Sequence, residues 1–229
     1  MQDSERPNKV DTIIFDLDGT LVDSVDAIYA VSQKTLLSLG LPDIPHVKIR
    51  SFIGHGVHHL TRSMALFLSL DPAGSKADEI YRIFSELYPA QLDGNHCFIG
   101  VPEALKELQI RGHHLALCTN KPMAPARSVL NHLGLLKFFP VVIAGDSLAS
   151  RKPEPEMLHA AIQQAAGNSA VYIGDSEVDQ KTALNADIPF VLFTEGYRAS
   201  SIDELNPRAH FSSYRELPDL LQNINALKY

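Results

Sequence analysis

The stretch Thr12-Ile13-Ile14-Phe15-Asp16-Leu17-Asp18-Gly19-Thr20 constrains this chain more than any other. Residues 12–15 form a short apolar run, the pattern of a strand buried on both faces. The run stops at two carboxylates, Asp16 and Asp18, and Gly19 then lets the backbone turn tightly. A helix is expected to follow, with Asp23 and Ser24 as N-cap residues. Acids at the carboxyl end of a central strand sit where open α/β sheets bind ligands. Two close anions repel and resist desolvation. A divalent cation relieves both costs, and Mg²⁺ prefers carboxylate, carbonyl and water oxygens. From this stretch alone, an Asp-Gly turn joining strand to helix is the plainer alternative.

Residues 24–93 repeat apolar positions at helical spacing, with no convincing strand. Val25, Ile28, Val31, Leu36 and Leu39 mark a first helix, closed by Gly40 as its C′ residue. Leu60, Met64, Phe67 and Leu68 line a second, and Ile80, Ile83, Phe84 and Leu87 a third. From Val101 the rhythm changes. Expected strands at 115–118, 141–144, 170–173 and 190–193 alternate with helices at 102–109, 126–133, 155–166, 178–186 and 218–227, Gly167 ending the 155–166 helix. Such alternation implies a Rossmann-like, doubly wound parallel α/β sheet. The chain therefore divides into an α/β core, residues 1–23 and 97–229, and a small inserted α-helical cap, residues 24–96.

Four polar clusters fall at or just after the carboxyl ends of these strands: Asp16 with Asp18, Thr119 with Asn120, Lys152, and Asp175 with Asp179. In a parallel sheet those ends share one edge, so the clusters converge. Singly, each reads as a cap, a turn or a solvated surface charge. Together they suit phosphoryl transfer, where metal and lysine offset the charge of an anionic phosphate. Asp16, ending the rigid strand, is the nucleophile candidate. Asp18 is the acid that protonates the leaving alkoxide and then deprotonates water. The Thr119 hydroxyl and the Asn120 backbone N–H bind phosphate oxygens, and Lys152 supplies a point charge. Asp175 completes a metal shell with Asp16, and Asp179 holds a metal-bound water.

The set resembles the haloacid dehalogenase superfamily of phosphatases. Asp16-Leu17-Asp18-Gly19-Thr20 matches its first motif, Thr119 its second, Lys152-Pro153 its third, and Gly174-Asp175 through Asp179 its fourth. The helical insertion is similar to the family's first type of cap. The resemblance implies an aspartyl-phosphate intermediate and Mg²⁺, with the Asp18 backbone carbonyl as a further metal ligand. Phe52-Ile53-Gly54-His55-Gly56-Val57, Gly100 to Leu105 and Phe193 to Arg198 look like the phosphoglycolate phosphatase branch, which makes 2-phosphoglycolate the expected substrate. Sugar-phosphate phosphatases, pyrophosphatases and β-phosphoglucomutase-like mutases share much of the pattern. A non-catalytic ligand-binding protein of the same fold is a further alternative. Gly54, His55 and Gly56 are expected to face the substrate, the glycines permitting close approach. His55, His58 and His59 have helical spacing for a metal, but no acid flanks them usefully.

The formal net charge of −7 argues against nucleic acid as a partner. It leaves a small phosphorylated metabolite open, because a local cation dominates a site. Cys97 and Cys118 form no C-x-x-C, so neither a disulfide framework nor a zinc ribbon is indicated. Cys118, within a strand, reads as a core residue. The polar opening Met1–Pro7 lacks the apolar run of a secretory signal, and no stretch approaches the roughly 18 apolar residues of a membrane span. The expectation is a cytoplasmic monomer or homodimer with no membrane partner.

Overall fold

The computed structural model describes residues 10–167 and 169–224. The opening Met1–Pro7 and the expected end of the last helix at Leu227 lie outside them. The first strand, β1 (Thr12–Phe15), is buried along its whole length. A two-residue strand β2 (Val22–Asp23) leads into α1 (Val25–Ser38), α2 (His46–Arg50), α3 (Val57–Phe67) and α4 (Ser75–Leu87). A 3₁₀ turn at Tyr88–Ala90 precedes β3 (His96–Cys97) and α5 (Val101–Ile110). Then come β4 (His114–Cys118), α6 (Met123–His132), β5 (Val141–Ile143), α7 (Glu156–Ala165) and β6 (Ala170–Gly174). The described chain closes with α8 (Glu177–Asn185), β7 (Phe190–Phe193), α9 (Ile202–Leu205), β8 (Ala209–Phe211) and α10 (Leu217–Asn223).

Six strands form one sheet in the order β5-β4-β1-β6-β7-β8, every neighbouring pair parallel. β1 is central, with Ile14 opposite Ala116 on one side and Tyr172 on the other. The strand order reverses there, the switch point at which such sheets bind ligands. Side chains alternate between two layers, as a period of two requires. Ile13, Phe15, Leu117 and Ile173 pack against Leu105 of α5 and Val129 of α6. Ile14, Ala116 and Tyr172 pack instead against Met157 and Leu158 of α7 and Ala183 of α8.

The four helices of 25–87 bury a separate cluster that includes Val31, Ile49, Met64, Ile80 and Phe84. The chain leaves the sheet through β2 and returns through β3, which pair antiparallel with Val22 opposite Cys97. Strands of two residues carry no readable period, and sequence reasoning passed over both.

Helix ends show local chemistry at work. Gly40, at φ +63°, follows α1; its N–H donates to the Leu37 carbonyl and that of Leu41 to Leu36, the paired closure expected of glycine at C′. At the start of α1, Ser24 holds the N-cap position, but its buried hydroxyl has no partner. Gly167 differs from expectation. The left-handed residue ending α7 is Ala166, and a Cβ on Gly167 would collide with the Thr12 hydroxyl. Glycine is needed there for close packing against β1.

Ile14 is wholly buried at the middle of the sheet. Ile14→Ala is expected to lower unfolding free energy by about 2–5 kcal/mol in urea titration. A loss under about 1 kcal/mol would contradict the central, two-sided burial of β1.

Candidate active site

The carboxyl ends of β1, β4 and β6 lie side by side, and the polar clusters gather there. After Asp16 the chain turns through Gly19 at φ +86°, where a Cβ would come 2.5 Å from Asp175 Oδ2. The turn carries the Thr20 hydroxyl to Asp175 Oδ1, to which it donates at 2.8 Å. The backbone N–H of Tyr197 donates to Asp175 Oδ2 at 2.7 Å. Carboxylate oxygens of Asp16, Asp175 and Asp179 all lie within 4.8 Å of one another, and all three residues are buried.

Lys152 is the buried counter-charge. Its Nζ is 2.7 Å from Asp179 Oδ1 and donates to the Tyr172 hydroxyl at 2.9 Å. It also pairs with Asp16 Oδ1 at 2.8 Å, so one ammonium serves two carboxylates. Asp179 is fully engaged. Oδ1 also accepts from Tyr172 at 2.8 Å, while Oδ2 accepts from the Ser176 hydroxyl at 2.6 Å and the Ser176 N–H at 3.1 Å, forming the capping box of α8. Its side chain thus aims the lysine and starts the helix.

Three carboxylates against one ammonium leave negative charge in a dry place. Burial first, and then the charge of Asp179, raise the Asp16 carboxyl to about 7 despite Lys152. Burial and the two neighbouring acids raise Asp175 well above the usual carboxylate range. Burial also acts against Asp179, but Lys152 outweighs it and holds that group low. The excess of carboxylate over ammonium fits a divalent cation, with Asp16 and Asp175 as the available carboxylates. The Asp18 side chain is committed elsewhere, so its contribution to a metal would come through its backbone carbonyl.

Asp18 Oδ1 accepts from Lys121 Nζ at 2.9 Å, and Lys121 also donates to the Tyr88 hydroxyl at 2.5 Å. Sequence reasoning missed Lys121, although it directly follows Thr119-Asn120 on the strand-end edge. It missed Tyr172 as well, a hydroxyl in an aliphatic strand that a buried position obliges to find partners. Thr119 is buried and accepts the Lys121 N–H at 3.2 Å, which leaves its hydroxyl proton to donate. The Asn120 side chain ties loops together, bonding the Lys152 backbone N–H and carbonyl and the Gly54 carbonyl. Gly54 and Gly56 line a cavity of about 30 Å³ above Asp16, Asp18, Thr119 and Asn120. His55 is not among the lining residues; its exposed ring stacks on His59 with centroids 4.6 Å apart. The Cys118 thiol is pushed by burial up to about 12, which makes it inert.

Residues 13–193 match the haloacid dehalogenase-like hydrolase family. The chain belongs to that family. It is 43% identical over 210 residues to a phosphoglycolate phosphatase of Rhodobacter capsulatus, covering 92% of this chain and 96% of that protein. It is 33% identical over 216 residues to the phosphoglycolate phosphatase of Rhodospirillum rubrum, covering 91% and 90%. Its fold superposes with a TM-score of 0.85 on the crystal structure of a predicted phosphoglycolate phosphatase from Haemophilus somnus 129PT, at 25% identity and covering 92% and 97%. The haloacid dehalogenase-like fold, with its helices inserted after the first strand, is thus that of a phosphoric monoester hydrolase. No helix among the described residues is long and apolar enough to cross a membrane.

Two outcomes test the electrostatics. Asp179→Ala unpairs Lys152 and uncaps α8, and an expected loss of about 3–5 kcal/mol is read by urea unfolding. In chelated protein, Asp16 keeps a proton from pH 3.8 to about 7 that the unfolded chain has released. Its contribution to stability therefore falls as pH rises through that window and levels off above it. Thermal unfolding across the window should show a decline that is smaller in Asp16→Asn; equal slopes would contradict the buried, proton-holding Asp16.

Proposed function

We propose that this enzyme is a Mg²⁺-dependent phosphomonoester hydrolase that works through an aspartyl-phosphate and acts on 2-phosphoglycolate. The observation that carries the reading is the buried Asp16 beside Lys152 and Asp175, with Asp18 two residues on and turned toward the cavity. The names of the relatives favour phosphoglycolate.

An Asp16 oxygen attacks phosphorus while the bond to the ester oxygen breaks. Asp18 gives its proton to that leaving oxygen, and the alcohol departs. Asp18, now a carboxylate, takes a proton from water as the water oxygen attacks phosphorus; Asp16 leaves and inorganic phosphate is released. Lys152 balances charge on the phosphoryl group, and the Thr119 hydroxyl and loop N–H groups orient its oxygens. Asp16, the Asp18 backbone carbonyl and Asp175 would hold magnesium, which would supply positive charge for the phosphoryl oxygens and for the Asp16 carboxylate.

The helices of 24–96 act as the cap. A cavity of about 30 Å³ holds little more than water, so substrate enters only when the cap lifts. Lifting breaks the Lys121–Tyr88 and Asn120–Gly54 bonds and the 2.8 Å bond from Arg50 to the Gly196 carbonyl. Closure restores them around the reactants and excludes bulk water.

A panel of phosphoglycolate, sugar phosphates and pyrophosphate, assayed with and without Mg²⁺, tests the reading. Phosphate release should be fastest with phosphoglycolate and vanish on chelation, and Asp16→Asn should lower turnover by at least about a thousandfold. Isomerised sugar phosphate in place of free phosphate would sink hydrolysis as the reaction. Metal and proton compete for Asp16 and Asp175, so Mg²⁺ should raise the melting temperature more near about pH 7.5 than near about pH 5.

A further inference from the structure

Lys121 has no part in the phosphoryl chemistry above, yet it is buried in the wall of the same cavity. Lys152, the other buried ammonium at this edge, faces Asp16 and Asp179, where the phosphoryl group is handled. Lys121 instead sits 2.9 Å from Asp18, the residue that meets the leaving oxygen, and 4.4 Å from the centroid of the Tyr88 ring. The cavity wall opposite is apolar, made by Ile28, Ile53, Val57, Leu60 and Phe84. Among the described residues lining this cavity, Lys121 is the one cation.

We propose that Lys121, with the Tyr88 hydroxyl, is the receptor for an anionic carboxylate carried by the leaving group, and so sets substrate selectivity. The inference rests on the phosphomonoesterase reading and deepens it. An ester oxygen in reach of Asp18 lies within a few ångströms of Lys121 Nζ, because Asp18 bridges the two. In a phosphorylated 2-hydroxy acid the carboxylate is one carbon removed from that oxygen, the separation this juxtaposition spans. A carboxylate enclosed by aliphatic side chains is costly unless a cation and a donor meet it. The ammonium has a third N–H beyond those given to Asp18 and Tyr88. The Tyr88 hydroxyl accepts from Lys121, so its own proton turns away from the ammonium and is available to the same carboxylate. Tyr88 comes from the helical insertion and Lys121 from the loop after β4, so the receptor is complete only with the insertion closed. A charged leaving group would then favour closure, whereas a neutral one would not.

The test is steady-state kinetics of the full-length enzyme with Mg²⁺ on 2-phosphoglycolate and phospholactate, which carry a carboxylate on the leaving group, and on ethyl phosphate, which does not. The readout is the ratio of kcat/KM for each carboxylated ester to that for ethyl phosphate. In the native enzyme the ratio should be well above one. Lys121→Met should lower it at least about thirtyfold, chiefly through KM for the carboxylated esters, as loss of a charge-assisted contact predicts. Lys121→Arg should keep more of the ratio than Lys121→Met. Tyr88→Phe, which keeps the ring and removes only a hydroxyl, should lower it about three- to tenfold. An equal loss on all three esters would overturn the proposal and make Lys121 a positioning residue for Asp18. If Lys121→Met does not fold, as judged by circular dichroism, an unchanged ratio in Tyr88→Phe overturns it. A native enzyme that prefers phospholactate and ignores phosphoglycolate would refute the substrate reading alone, and the variant ratios would still decide on Lys121. A native enzyme with no preference for a carboxylate overturns both.

Discussion

Three carboxylates within 4.8 Å of one another, answered by a single buried ammonium, are the condition to which the rest of this molecule responds. Charges this close and this dry oppose folding, so apolar packing must hold them in place. It does so through a sheet buried on both faces, with β1 wholly excluded from solvent. The surroundings are also fitted to the acids. A Cβ on Gly19, Gly174 or Gly196 would strike Asp175 or Asp179, so bare backbone lies against the carboxylates. Asp179 is neutralised from within by Lys152 and the α8 capping box, while Asp16 and Asp175 keep unmet demand for positive charge. That division separates an acid satisfied within the protein from two that are not.

The helical insertion is tied to this arrangement by polar contacts that include the following. Arg50 of α2 reaches the Gly196 carbonyl, next to the N–H that binds Asp175. Gly54, between α2 and α3, accepts from Asn120, which in turn holds the backbone of Lys152. Tyr88, after α4, meets Lys121 and through it Asp18. Each tether ends on a loop that carries a site residue. Each is a polar contact between the inserted helices, which bury their own hydrophobic cluster, and the loops of the sheet.

Much of this was legible in the residues. The strand–helix alternation after Val101 gave a parallel sheet, because apolar runs of four or five residues between helices have few other solutions. The acids of the first and fourth clusters were legible because they end such runs. Lys121 and Tyr172 were not, since a lysine in a loop and a tyrosine in a strand acquire roles only from what stands opposite them. His55 depends on tertiary context too: its ring lies against that of His59, a contact the two flanking glycines do not announce. The short pair β2 and β3 and the left-handed Ala166 likewise depend on partners far along the chain.

The sequence by itself determined the class of fold, the edge on which chemistry-bearing residues collect, and the identity of the acids and the lysine at its centre. Those follow from local periodicity and from the rule that parallel strands end on one side. Tertiary structure decided which carboxylate is paired and which is left wanting a cation, which lysine serves which acid, and how the inserted helices grip the core. These depend on distances and burial between residues more than 100 positions apart, as for Lys121 and Asp18, and solvation energy in a closed interior is set by such neighbours and not by sequence order.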